Sequence, residues 1–161
     1  MQTHVFRLIP LAILLAAPPV PAGAQQPPAA AQVEYLRSAE TAAANLPFSD
    51  AVRVGDMLYV SGQIGTVPGS LELAPGGIQG QTRQTLENIR AILERHGSSM
   101  DRVVKCLVML TDMSQWPNMN EVYVTFFPRN LPARSAMGAN ALALGALVEI
   151  ECMATVEPRP R

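Results

Sequence analysis

The chain has 161 residues, 48% of them hydrophobic and 16% charged, with a net charge of −1. That composition suits one folded domain with one core. It holds no basic patch and no basic stripe interleaved with aromatics, which argues against a nucleic-acid partner.

Residues 1–24 have the layout of a secretory signal peptide: Arg7 near the front, an apolar run from Leu8 to Ala17, and the small-residue ending Ala22-Gly23-Ala24. The run is too short, and too broken by Pro10, Pro18, Pro19 and Pro21, for a transmembrane helix. Cleavage after Ala24 is expected, an uncleaved anchor being the alternative. The mature protein is then periplasmic or secreted and free of the membrane. Residues 25–46 are read as a Gln/Pro/Ala linker followed by a first strand, Val33 to Arg37. The folded domain covers 47–157, and 158–161 is a polar tail.

Asp50 to Val54 and Met57 to Ile64 read as a hairpin turned by Gly55-Asp56. Ser61-Gly62-Gln63 interrupts its second strand, and a glycine there marks a bulge or a close backbone approach. Residues 65–77 are Gly/Pro-rich and form a loop. Gln81 to His96 is an amphipathic helix with Thr82, Leu86, Ile89 and Leu93 inward and Arg83, Glu87, Arg90 and Glu94 outward, ended by Gly97. His96 is read as a surface residue at that helix end. Val103 to Leu110 is a strand covered on both faces. Asp112 or Ser114 caps a second helix with Met119, Val122, Tyr123 and Phe126 buried, and Pro128 stops it. Trp116 and Tyr123 are read as packing residues. A last strand runs from Leu147 to Val156.

The order hairpin, helix, strand, helix, strand, strand gives an α+β domain: a mixed sheet with two helices on one face. Strands apolar on both faces need a second cover, which another copy of the chain would provide. Cys106 and Cys152 both lie in apolar strand-like runs. Buried inert thiols are expected, since a bridge needs the two strands to be adjacent. One mature histidine and two distant cysteines make a metal site improbable.

In the last strand Val148, Ile150, Cys152, Ala154 and Val156 alternate with Glu149, Glu151 and Met153. Alternation puts both glutamates on the face opposite the helices. Arg134, in Leu131-Pro132-Ala133-Arg134-Ser135, carries a planar fork of donors suited to a carboxylate. It is the obvious cation for those glutamates, either as an inter-subunit ion pair or as half of an active site. The Gly76–Gly80 stretch lacks the lysine and the serine or threonine of a phosphate loop and is read as flexible. Ser61 is read as a hydrogen-bonding strand residue.

Five blocks in order carry a more specific signal: Val60-Ser61-Gly62-Gln63-Ile64; Gln81-Thr82-Arg83-Gln84-Thr85-Leu86-Glu87-Asn88; Asn120-Glu121-Val122-Tyr123 with Phe126-Phe127; Pro132-Ala133-Arg134-Ser135; and Gly145 to Glu151. Together they resemble the RidA/YjgF family of reactive-intermediate deaminases, from about Pro47 to Val156. The resemblance implies a chorismate-mutase-like fold assembled as a homotrimer, with ligand clefts between subunits. It implies hydrolysis of enamines or imines of the 2-aminoacrylate type to 2-keto acids and ammonia, without metal or organic cofactor. Arg134 would grip the substrate carboxylate and Glu149 would hold or activate water. Gly62, Ala136, Asn120 and Phe48 would line the cleft.

Phe48 stands where many relatives have tyrosine, Ala136 where a cysteine is often found, and Gly65 where proline commonly follows. The alternative function is a non-catalytic trimer that binds small carboxylates or another protein.

Overall fold

Alternation along one strand decides which face of the sheet becomes core. In the computed structural model, which describes residues 30–157, the last strand is Val148–Thr155 (β6). Its burial pattern alternates at every residue, with Val148, Ile150, Cys152 and Ala154 inside. The signal peptide expected over 1–24, the linker before residue 30 and the tail 158–161 lie outside the described residues.

The other strands are Val33–Leu36 (β1), Ala51–Val54 (β2), Met57–Ile64 (β3), Val103–Leu110 (β4) and Ala133–Gly138 (β5). They form one six-stranded sheet in the order β1-β2-β3-β6-β4-β5. The last strand therefore inserts at the centre, antiparallel to both β3 and β4. Strand β4 is parallel to the edge strand β5. The mixed α+β architecture is the one expected from the sequence.

The hairpin forms as the Gly-Asp pair requires, with Gly55 at φ 57°. Two helices, Gly77–Arg95 (α2) and Trp116–Tyr123 (α3), pack on the side of the even β6 residues. Leu86, Ile89 and Leu93 of α2, Met119 and Val122 of α3, and Val108, Leu110, Val148 and Ile150 of the strands close the core.

Helix α2 begins four residues earlier than Gln81. Its first turn runs through the Gly76–Gly80 stretch, which is helical rather than a flexible loop. Glycine is a poor helix former, but Ile78 is buried in the core and anchors the turn. Gly80 is required, because a Cβ there would strike the Pro75 carbonyl. At the other end Gly97 adopts φ 78°. Its N–H donates to Glu94 and that of Ser98 to Leu93, the paired bonds of a Schellman cap. His96 is the half-buried C-cap, with its Nε2 shielded and without a partner among the described residues. Burial first, and then Arg95, lowers its pKa, with Asp50 opposing.

A short helix, Ala39–Ala43 (α1), is capped by Ser38. The buried Asp50 carboxylate accepts from the Ser38 N–H and the Thr41 hydroxyl, fastening this segment to β2. Burial pushes the Asp50 carboxyl up, but those hydrogen bonds outweigh it and the net shift is downward.

The cysteines are not inert thiols. Cys106 and Cys152 sit directly opposite each other in the β4–β6 register, their Cα atoms 4.1 Å apart, and form a disulfide inside the core. Their 46-residue separation says nothing about adjacency. The central insertion of β6 creates it. Closing a loop of this length restricts the unfolded chain, an effect of about 2–4 kcal/mol. Reduction, verified by thiol mass labelling, is therefore expected to lower the melting temperature by several degrees. An unchanged melting curve of the fully reduced protein would contradict that role.

Candidate active site

Arg134 lies on the edge strand β5, where the parallel register sets it beside Cys106 and so on the helix side of the sheet. Three residues of α3 receive it. Its Nη1 donates to Asn120 Oδ1 at 2.7 Å, and its guanidinium lies 4.6 Å from the Tyr123 ring centre and 5.9 Å from that of Trp116. Trp116, Asn120 and Tyr123 follow one another at helical spacing and share one stripe. A guanidinium over an aromatic face is attracted by the ring quadrupole. Burial, with Arg134 partly opposing it, pushes the Tyr123 phenol up to about 12, so that ring stays neutral.

Around this group opens a cavity of about 410 Å³ lined by Asn120, Tyr123, Val124, Leu131, Pro132 and Arg134. Ala136 lies two residues along β5 on the same side and packs against the core. Among the described residues no carboxylate pairs with Arg134, and the ion pairs that form are Arg90–Glu87, Arg102–Glu157 and Arg129–Asp101.

Glu149 occupies the other face. Its β-sheet neighbours are Met109 on β4 and Ile64 on β3. Burial, and secondarily the charge of Glu151, raises its pKa. The β3–β6 register shifts between Val60 and Gln63, a bulge at the glycine the sequence flagged. A Cβ on Gly62 would fall on the Glu149 carboxylate, so the glycine lets the acid lie directly against the bulge where it stands.

The bulge is held from both sides. Gln63 Nε2 donates to the carbonyls of Ser61 and Gly62 at 3.1 and 3.2 Å, and Ser61 Oγ donates to the Ser49 carbonyl at 2.6 Å. That last bond ties down the loop carrying Phe48, which is 49% exposed.

The six residues singled out from sequence thus fall into two groups. Arg134, Asn120 and Ala136 stand on the helix side; Glu149 and Gly62, with the Phe48 loop, belong to the bulge. Within one protomer Arg134 and the two glutamates look to opposite faces of the sheet, so any pairing between them is not made inside one chain. The parallel β4–β5 register points Arg134 the way Cys106 points, while alternation points both glutamates the opposite way. Trp116 and Tyr123, read from sequence as packing residues, are the aromatic seat of Arg134. Their spacing from Asn120 was a visible signal, but only the position of β5 gives it meaning. Among the described residues no group of His, Cys, Asp or Glu is arranged to hold a metal ion.

Residues 38–156 match the family described as Endoribonuclease L-PSP. The 2-iminobutanoate/2-iminopropanoate deaminase of Mus musculus is 41% identical over 125 residues, covering 78% of this chain and 93% of that one. This chain belongs to the RidA/YjgF family. Among solved structures, RidA from the Antarctic bacterium Psychrobacter superposes with a TM-score of 0.66 at 43% identity, covering 68% of this chain and 89% of that one. Escherichia coli TdcF with bound serine superposes with a TM-score of 0.65 at 33% identity, covering 69% and 89%.

In this RidA-family chain the raised Glu149 pKa has a direct stability consequence. The folded state binds the Glu149 proton more tightly than the unfolded chain does, so the charged form costs stability at high pH. The cost fades as pH falls through the folded pKa and is gone below the ordinary value of 4.5. Glu149→Gln is therefore expected to melt higher than wild type at pH 7–8, with the difference closing toward pH 4. Melting curves across that range that keep a constant difference would remove desolvation as the cause.

Proposed function

We propose that this protein hydrolyses small carboxylate-bearing imines and enamines, of the 2-aminoacrylate type, to 2-keto acids and ammonia. The observation that carries this is Arg134: seated on Tyr123, hydrogen-bonded through one nitrogen to Asn120, with no carboxylate partner among the described residues and facing a cavity. A guanidinium so placed holds a substrate carboxylate through its remaining donors and fixes the imine carbon for attack. The deaminase name of the mouse relative and the serine bound to the Escherichia coli relative support both the chemistry and the ligand class.

Glu149 takes the second role. A carboxylate whose pKa is raised is a stronger base near neutral pH. It accepts a proton from water as the oxygen bonds to the imine carbon, while the imine nitrogen becomes protonated. Glu149 returns its proton to the amine nitrogen of the resulting carbinolamine and takes the hydroxyl proton, so ammonia leaves as the C–O bond becomes the keto carbonyl. For an enamine, protonation of the terminal carbon first gives the iminium form. The ribonuclease activity in the family description has less support: the residues lining the cavity include one cation and no histidine.

Because the two groups stand on opposite faces in one protomer, a complete site takes the Arg134 group from one copy and the Gly62–Glu149 group from another. A homotrimer with three such clefts fits this requirement. It also covers the outer face, where Tyr59 and Met137 remain exposed. Export to the periplasm or exterior is supported by the Cys106–Cys152 disulfide, which persists in oxidising compartments.

With an imine generated in situ, Glu149→Gln is expected to lower kcat by roughly 10²–10⁴-fold. Arg134→Ala is expected to lower kcat/KM by about 10–100-fold, the loss of a charge-assisted hydrogen-bonded contact. Co-expressed Arg134→Ala and Glu149→Gln chains should recover part of the activity in mixed oligomers. Wild-type turnover no higher than that of Arg134→Ala sinks the deaminase; absence of recovery in hybrids sinks the shared cleft.

A further inference from the structure

Asn120 Oδ1 accepts two hydrogen bonds, from Arg134 Nη1 at 2.7 Å and from the Trp116 indole Nε1 at 3.2 Å. An amide oxygen has two lone pairs, so both are occupied. The donors are incapable of accepting, so the amide cannot turn over without placing its own N–H groups against them. Asn120 Nδ2 makes no hydrogen bond and is not among the buried unsatisfied atoms, although Asn120 lines the cavity. Its two protons are thus available there, beside the guanidinium.

We infer that Trp116 is a positioning residue that selects for a carboxylate ligand by locking the Asn120 amide with its N–H groups toward the cavity. Arg134 alone fixes which end of the amide it meets but not the tilt of the amide plane, since one hydrogen bond leaves the group free to pivot about it. The indole N–H, four residues back on the same helix, fixes the second lone pair from a rigid ring. The cavity then presents donors and no acceptor from Asn120. A carboxylate, which only accepts, is matched; a ligand group that must donate finds no partner at this position. A phenylalanine at residue 116 would preserve the aromatic surface near Arg134 but not this lock.

The inference rests on Arg134 as the carboxylate grip, and the test separates the two. Binding of 2-oxobutanoate to the full mature protein is measured by calorimetry, alongside KM and kcat on the in situ imine. Trp116→Phe is expected to weaken 2-oxobutanoate binding about 5-fold, the worth of one neutral hydrogen bond. KM should rise in parallel while kcat stays within about two-fold, the pattern of lost uniform binding.

Asn120→Asp keeps the acceptor for both donors but replaces the free N–H groups with an oxygen. It is expected to weaken binding by more than about 10-fold, since an acceptor then faces the carboxylate. Wild-type affinity in folded Trp116→Phe, or in Asn120→Asp, overturns the lock. Wild-type affinity in Arg134→Ala instead overturns the grip on which it rests. A loss in Trp116→Phe confined to kcat, with KM and affinity unchanged, also overturns the lock.

Discussion

The structure depends on the insertion of the last strand between two that precede it. Strand β6 is hydrogen-bonded on both sides, to β3 and to β4, and its even residues are the floor on which α2 rests, with α3 packed beside α2. Burying Val148, Ile150, Cys152 and Ala154 sends Glu149 and Glu151 to the opposite face, because neighbouring side chains on a strand cannot share a side. The face taken by Glu149 is therefore a consequence of core packing. Its position needs no separate stabilising device beyond a glycine that leaves it room.

That room is made by the bulge in β3. An extra residue between Val60 and Gln63 breaks the register with β6, brings Gly62 against Glu149 and ties the Phe48 loop to the sheet through Ser61. The same central insertion places Cys106 opposite Cys152 and so links the two strands that carry or flank the charged groups. Strand β5, added in parallel at the edge, swings Arg134 to the other side and seats it on α3. One sheet thus carries the Arg134 group on one face and the Gly62–Glu149 group on the other.

Much of this was legible beforehand where local physics dominates. The period of α2, its glycine end, the Gly-Asp hairpin and the alternation of β6 are short-range patterns, and each formed as the residues require. The start of α2 was misjudged because glycines at 76, 77 and 80 argue against a helix, while the burial of Ile78 that overrides them is a tertiary contact. The cysteines were misjudged for a related reason. Pairing depends on which strands become neighbours, and the strand between β3 and β4 comes from the far end of the chain. His96 stands at the helix end as its position implies, half-buried, with Nε2 shielded from solvent.

Periodicity and side-chain chemistry are enough to read the hairpin, the body of α2, the inward face of β6, and the residue types able to handle a carboxylate and a water. The five ordered blocks also determined the family. Only the tertiary structure decided that Arg134 and Glu149 look away from each other, that Trp116 and Tyr123 serve Arg134 rather than the core alone, and that the cysteines join. The physical reason is that side-chain direction along one strand is local, whereas strand order and parallel or antiparallel register are set by the whole fold.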